Sequence, residues 1–219
     1  LIDIVANHTG WDNDWINNDG WYTTNSEGEI VSPSGQGTTW PDVAELNYDN
    51  HEMRAEMIEV MKFWIEEIGV DGYRADYANG VPVDFWAAVR KELDEIKEVY
   101  MLAEDNKVYE LLEHAFNSNY GWDLRHIMNE IAHGKQSAKA IERYIARIEK
   151  LYPQGTYPMH FTTNHDENSW EGTTEDLLGE AAEIMTVLTF TLPGIPLIYS
   201  GQEAGLDKQL LFFEKDEIN

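Results

Sequence analysis

An α/β fold built on a parallel sheet is what this sequence predicts. Segments with helical spacing of apolar residues alternate with short apolar runs of strand length, the pattern of right-handed βαβ units. The chain has 219 residues, 42% of them hydrophobic and 12% aromatic, enough to bury one sizeable core. Polar and charged residues gather just after the apolar runs, where open or closed parallel sheets form their sites.

Each element has its own signal. Residues 1–6 (LIDIVA) are a β-branched run with one acidic interruption, read as a buried strand. From His8 to about Asn50 the chain is rich in Gly, Asn, Asp, Ser and Trp, a long irregular excursion of the kind that is usually functional. Asn50 is placed to cap a helix in which Met53, Met57, Met61, Trp64, Ile65 and Ile68 follow helical spacing, and Gly69 ends it. Residues 70–76 (VDGYRAD) read as the next strand. Asp84 reads as the cap of a helix carrying Phe85, Val89, Leu93 and Ile96, followed by a strand over 99–103. An amphipathic helix is expected near 137–151, a strand over 158–163, a helix over 176–191 and a strand over 195–200, with a last helix barely begun at 210–213. Internal repeats, low-complexity segments and flexible linkers are absent.

Composition removes several function classes. Lys and Arg number 15 against 41 Asp and Glu, a net charge of −26. Such a surface repels phosphate backbones and anionic headgroups, so neither a nucleic-acid nor a membrane partner is expected. There is no cysteine, hence no disulfide, thiolate nucleophile or Cys metal site. No apolar run approaches the roughly 20 residues that span a bilayer. The sequence starts at Leu1 inside an expected strand, without initiator Met or signal peptide, and reads as a cut end.

The chemistry gathers at strand ends: Asn7-His8 after the first, Arg74-Ala75-Asp76 in the second, Glu104-Asp105-Asn106 after the third and Asn164-His165-Asp166 after a later one. Two-residue periodicity puts Arg74 and Asp76 on one face of their strand. A guanidinium beside a carboxylate favours the ionised form that a nucleophile needs, and the apolar approach Met-Leu-Ala before Glu104 suits a general acid. A nucleophile, an acid and a further carboxylate are the equipment for cleaving an acetal through a cationic transition state. Taken singly, Asp76 or Asp105 reads more readily as a helix cap, and among 41 acids some coincidences are expected.

These residues resemble a known family. Asp3-Ile-Val-Ala-Asn7-His8, Gly72-Tyr-Arg74-Ala-Asp76, Glu104 and Phe161-Thr-Thr-Asn164-His165-Asp166 look like the four motifs of glycoside hydrolase family 13, the α-amylase family. Leu46-Asn47 is similar to the tail of a further motif, and Gly194-Ile-Pro196-Leu-Ile-Tyr-Ser-Gly201 to the last-strand motif. Order and spacing fit across the whole chain. The resemblance implies an α/β fold that is a partial (β/α)8 TIM barrel over residues 1–219, holding the third to eighth strands, with a small insert at 9–47 after the third strand. The first two strand–helix units are then missing, and the chain is expected to be a fragment of a longer enzyme.

Residue by residue, the resemblance implies that Asp76 is the nucleophile, Glu104 the acid/base and Asp166 the carboxylate that holds hydroxyls of the distorted sugar. Arg74 orients Asp76, Asp3 supports Arg74 from a deeper position on the neighbouring strand, and His8 and His165 bond sugar hydroxyls. Configuration would be retained, which needs the Asp76 and Glu104 carboxyls about 5–5.5 Å apart. Read alone, the two histidines are ordinary half-buried residues; within the ordered motifs the substrate-binding reading wins. Asn7-His8-Thr9 also fits a glycosylation acceptor, a poor reading inside the first motif. Asn7 matches the family's calcium-ligand position, with Asp12, Asp14 and Asp19 as hard oxygens nearby, although a solvated acidic loop is the better reading of those three. Calcium is the one cofactor the resemblance suggests.

Two positions depart from the family pattern. A Lys-His pair that commonly follows the nucleophile is replaced by Asn79-Gly80, and Val43-Ala44-Glu45 precedes Leu46-Asn47 where subgroups show other residues. Trp11, Trp15, Trp21 and Trp40 in the insert read equally as a sugar-stacking platform or as the mini-core of a long loop, with Trp40 leaning to core. The leading expectation is retaining hydrolysis of α-1,4-glucosidic bonds in starch or maltooligosaccharides. Beside it stand an α-glucosidase, a cyclodextrin-degrading enzyme or a glucan transferase of the same family, and a non-catalytic carbohydrate-binding relative. The substrate partner is an α-glucan, and the oligomeric state is open. The family's bacterial amylases are often secreted or periplasmic, which leans localisation that way.

Overall fold

The computed structural model describes residues 1–35 and 38–218, so Gln36 and Gly37 of the expected insert lie outside the described residues. The chain divides into two compact units, Leu1–Ser118 and Asn119–Asn219.

The first unit begins with β1 (Ile2–Val5), β2 (His8–Gly10), β3 (Ser34–Gly35), β4 (Thr38–Thr39) and β5 (Val43–Glu45). It continues with α1 (His51–Glu66), β6 (Gly72–Asp76), α2 (Val83–Ile96), β7 (Tyr100–Ala103) and α3 (Glu110–His114). Strands β1, β6 and β7 pair in parallel, and the register sets Asp3 opposite Arg74, Val5 opposite Asp76 and Arg74 opposite Leu102. Strand β6 starts at Gly72 because a Cβ there, at φ 143°, would sit 1.9 Å from the Tyr100 carbonyl oxygen.

Helix α1 buries Met53, Met57, Met61 and Ile65, and α2 buries Phe85, Trp86, Val89 and Leu93. Removing each such side chain from water is worth about 1.5–3 kcal/mol, so these two helical stripes hold the unit together. Trp64 and Ile68, expected on the inner stripe of α1, are exposed. Asn50 caps α1 as expected, its side chain accepting from the Glu52 and Met53 amides. Gly69 ends the helix at φ 80°, with the Val70 amide donating to the Trp64 carbonyl.

Several expectations are corrected in this unit. The first strand is half-open rather than buried: Asp3 and Val5 are exposed, Ile2 and Ile4 intermediate, because β1 is paired on one side only among the described residues. Asp84 does not cap α2; Pro82 holds that position, and Asp84 lies in the first turn, paired with Arg54 at 2.5 Å. The excursion is not structureless. Strand β2 pairs antiparallel with β5, β3 pairs with β4, and Asn13 caps a 3-10 turn over Asp14–Asn17.

The second unit takes over at β8 (Ser118–Tyr120), followed by α4 (Trp122–Ala132), α5 (Lys139–Leu151), β9 (Tyr157–His160), α6 (His165–Glu171), α7 (Thr174–Leu178), α8 (Ala182–Thr191) and β10 (Ile195–Pro196). Strand β10 runs parallel to β9, with Pro196 opposite His160. Leu124, Met128, Tyr144, Ile148, Leu178 and Met185 form one cluster from four of the helices.

The helix expected over 176–191 is two: Gly179, at φ 53°, breaks it, and Thr173 starts α7 with a capping box to Asp176. The strands expected over 158–163 and 195–200 are shorter, ending at His160 and Pro196, and residues 210–213 form no helix. Ile184, Val187 and Phe190 of α8 are about half exposed. Among the described residues, no helix is long and apolar enough to cross a membrane.

Candidate functional site

The first unit's acids are organised by one guanidinium. Because β1 and β6 are in register at Asp3 and Arg74, the Arg74 Nη1 group donates to both Asp3 carboxylate oxygens at 3.1 Å. The two-residue period of β6 puts Asp76 on the same face, and Nη1 donates to its Oδ1 at 2.6 Å. Nη2 reaches Glu104 Oε1 at 2.7 Å from the end of β7. The Arg74 side chain is 10% exposed, against 28% for Asp76, 17% for Glu104 and 54% for Asp3. One buried cation therefore pairs with three carboxylates, Asp3 and Asp76 through charge-assisted hydrogen bonds and Glu104 as an ion pair. Asp3 supports Arg74 as expected, but from an exposed position rather than a deep one.

The apolar surroundings expected for Glu104 are not what it meets. Its Oε2 accepts from the Tyr77 amide at 2.7 Å, so its partners are a guanidinium and a backbone N–H. Met101, Leu102 and Ala103 are buried on the two faces of β7, and the acid follows at its end. Tyr77 is the only non-glycine with positive φ (42°) among the described residues. That left-handed conformation costs of order 1 kcal/mol and bends the chain directly after the residue whose amide meets Glu104. Nothing in the sequence signals it, since tyrosine is not a turn residue. Asp105 does take the local-turn role: its Oδ2 accepts from the Lys107 and Val108 amides, both at 2.7 Å.

His8, on β2, stands half-buried beside this network. The Asn7 Nδ2 group lies 3.3 Å from His8 Nδ1, and the imidazole ring is 5.7 Å from the Trp40 ring. Burial lowers the His8 pKa, while the Asp76 and Asp42 charges pull it back up. Trp40 is not in a core: it is half-buried and meets the Tyr77 ring edge-on at 4.9 Å. Trp15 and Trp21 pack edge to face at 5.1 Å, and Trp11 is exposed with its indole N–H on the Pro41 carbonyl.

At the departure from the Lys-His pattern, Gly80 lets Tyr77 and Asn7 approach. A Cβ there would lie 2.3 Å from Tyr77 Cε1 and 2.6 Å from Asn7 Oδ1. Asn7 is buried, whereas Asp12, Asp14 and Asp19 are exposed. Among the described residues, no three or more His, Asp or Glu side chains stand together as a metal-ligating group.

The third acid belongs to the second unit. After β9 the chain runs through buried Phe161, Thr162, Thr163 and Asn164, and Asn164 caps α6 by accepting from the Glu167 amide at 2.8 Å. That cap sets Asp166 in the first turn, with His165 Nε2 3.5 Å from its Oδ2. Thr162 is fixed by Gln202 at its hydroxyl (2.9 Å) and by Arg125 at its carbonyl (3.4 Å). Glu167 turns the other way, to Arg125 at 2.6 Å and the Trp122 indole at 3.0 Å. Burial pushes Glu167 up and Arg125 down, with each partner's charge opposing the shift. Burial, then the Asp166 charge, raises the Tyr199 phenol. Beyond their spacing from the Asn164-His165-Asp166 motif, Arg125 and Glu167 carry no sequence signal.

Residues 38–218 match the family described as Alpha amylase, catalytic domain. Among curated proteins, the chain is 29% identical to an α-amylase of Dictyoglomus thermophilum over 94% of its own length and 47% of that protein. It is 30% identical to a 4-α-glucanotransferase of Thermotoga neapolitana over 90% of its own length and 42% of that one. Among solved structures, a maltogenic α-amylase from Thermotoga neapolitana superposes with a TM-score of 0.83 and 30% identity over 97% of this chain and 49% of that one. An α-amylase from Lactobacillus plantarum gives 0.85 and 28% over 98% and 54%. The chain thus spans about half the length of the relatives it matches. Parallel strands alternating with helices, matched to about half of each amylase, agree with the expected partial (β/α)8 barrel.

Proposed function

This chain belongs to the α-amylase family, and from that premise we propose that it carries out retaining hydrolysis of α-1,4-glucosidic bonds in starch or maltooligosaccharides. The observation that carries the reading is the Arg74 guanidinium bonded at once to Asp76 and Glu104. Sharing one cation keeps the two carboxylates close, which favours retention over the separation of about 6.5–9.5 Å that inversion requires.

In this reading an Asp76 carboxylate oxygen attacks the anomeric carbon while the bond from that carbon to the leaving oxygen breaks. Glu104 gives its proton to that oxygen, so the free sugar end departs as an alcohol. The carboxylate left on Glu104 is then stabilised by the Arg74 and Tyr77 contacts. Glu104 next takes a proton from water, whose oxygen attacks the anomeric carbon and releases Asp76. Asp166 holds hydroxyls of the sugar as positive charge develops on its ring. His8, kept mostly neutral by burial, has its Nδ1 facing the Asn7 amide group and therefore offers Nε2–H to a sugar hydroxyl, and His165 contributes beside Asp166.

A second reading is favoured by the match to a 4-α-glucanotransferase: a glucan hydroxyl takes the place of water in the second half of the reaction. The test is reducing-end release from soluble starch, with maltotriose products analysed alongside, for the parent chain, Asp76→Asn and Glu104→Gln. Hydrolysis predicts new reducing ends that fall by about three orders of magnitude or more in both variants. Longer oligosaccharides from maltotriose without new reducing ends indicate transfer. Turnover unchanged in Glu104→Gln, or glucan binding without turnover in any version, overturns both.

A further inference from the structure

The second unit carries an aromatic cluster that the reaction above does not use. Trp170 lies at the exposed end of α6, and its ring centroid is 5.1 Å from Phe212 and 6.2 Å from Phe213, with Phe212 and Phe213 4.9 Å apart. The three are 60%, 43% and 82% exposed. Stray exposed aromatics are common, but these are held in place. Asn168, buried beneath them, donates to the Lys208 carbonyl at 3.1 Å and accepts from the Leu210 amide at 2.9 Å. Gln209 donates to the Ser169 carbonyl at 2.8 Å. Asp216 accepts from the Leu211 amide and pairs with Lys208, closing the turn that presents the two phenylalanines. The rings are therefore pre-ordered, and a ligand that stacks on them does not bear the cost of fixing them.

Their position points to the occupant. Trp170 follows Asp166 by four residues on the same helix, so the two side chains share a face about one turn apart. Glu171, Glu214 and Lys215, which follow these rings in sequence, are exposed and mixed in sign. Flat apolar rings followed by polar residues suit the alternating apolar faces and hydroxyl edges of pyranose rings, and the chain's net charge of −26 disfavours an anionic partner. We propose that Trp170, Phe212 and Phe213 form a stacking platform for an α-glucan chain whose reacting sugar is held at Asp166. The identity of the ligand rests on the α-glucan reading above; the platform makes the protein select longer chains over short ones.

The test is calorimetric titration with maltoheptaose in the Glu104→Gln background, where turnover is off. Trp170→Ala and Phe213→Ser are each expected to weaken binding about fivefold, the order of one lost aromatic contact. Phe213, 82% exposed, buries little of its surface, so its replacement guards against a misfolded Trp170 variant. Unchanged affinity in Phe213→Ser, or no maltoheptaose binding by the Glu104→Gln parent, overturns the platform. The hydrolysis reading fails separately: reducing ends are then absent from the wild-type chain, whereas a failed platform leaves them intact and only the titration unmoved.

Discussion

The two units fix their acids by opposite means. In Leu1–Ser118 the carboxylates of Asp76 and Glu104 are gathered by a buried cation, and the strands supply only its register. In Asn119–Asn219 the buried guanidinium of Arg125 is bonded to Glu167, while Asp166, the carboxylate proposed to meet the sugar, is set by the Asn164 helix cap with His165 beside it. The difference matches the chemistry assigned to each. A nucleophile and an acid/base must be held at fixed separation, which a planar guanidinium does well. A carboxylate that meets a developing positive charge on the sugar is more useful when no permanent cation already neutralises it.

Breaking the first arrangement carries the largest expected effect. Arg74→Met leaves Asp76 and Glu104 facing one another without a counter-ion and Asp3 without its partner. Loss of one member of a buried pair costs about 3–5 kcal/mol, and the half-exposed Asp3 brings the figure toward the low end. Urea unfolding reads this directly, and starch hydrolysis is expected to fall at least about a hundredfold. Arg74→Lys keeps the charge without the fork, so it recovers stability more than activity. Equal recovery of both would mean that charge alone, not geometry, organises the first unit.

The second arrangement is sharpened by a double replacement. Arg125→Met strands Glu167 in a site where burial already opposes ionisation, at a cost of about 3 kcal/mol. Because burial is the leading cause of both partners' shifts, Arg125→Met combined with Glu167→Leu is expected to regain most of that loss. The cycle is read from urea midpoints of the four proteins. If the double variant is no more stable than the single, the pair contributes net stability and also anchors Thr162 irreplaceably.

How much of this was legible in the sequence follows from the range of each interaction. Helical stripes such as Met53, Met57, Met61 and Ile65 were visible because they repeat at a fixed local spacing. Arg74 beside Asp76 was visible because a strand's two-residue period is equally local. Glu104 was misread in its surroundings: Met101, Leu102 and Ala103 are apolar, but the side chain's partners come from Arg74 on another strand and from a left-handed Tyr77 amide. Asp84 shows the same limit. It has the cap residue type, yet the helix starts one residue earlier at Val83 and an arginine 30 residues away takes the carboxylate. The split of 176–191 at Gly179 is the converse case, where apolar periodicity outweighed a glycine that the backbone uses at positive φ.

A pH difference separates the units next. His160 of the second unit is fully buried, bonded through Nε2 to the Tyr144 hydroxyl at 3.0 Å, and burial lowers its pKa to about 4. The folded chain therefore keeps it neutral while the unfolded chain protonates it near 6.5. Its contribution is complete above that value and is lost as pH falls from about 6.5 toward 4, a change of about 3 kcal/mol at the bottom of the window. The urea midpoint of the parent should fall through this range, and more gently in His160→Gln. Equal slopes would show that carboxylate protonation in the first unit controls acid stability instead.

The smallest effects compare the helix caps. Thr173→Ala removes one side of the capping box of α7, a five-residue helix, and should cost about 1 kcal/mol. Asn50→Ala removes two amide partners at the start of α1 and also the bond from Asn50 Nδ2 to the Gly20 carbonyl at 3.2 Å, which ties the excursion to the helix. Its cost should reach the upper part of the 0.5–2 kcal/mol range for caps. The two variants also differ in what they loosen. Asn50→Ala should speed amide exchange at Glu52, Met53 and Trp21, because the Asn47 side chain alone then holds the Gly20 carbonyl. Thr173→Ala should leave those amides unchanged and speed exchange at Asp176. Identical exchange patterns for the two would mean that the caps act only through global stability, and the link between excursion and α1 would carry no energy of its own.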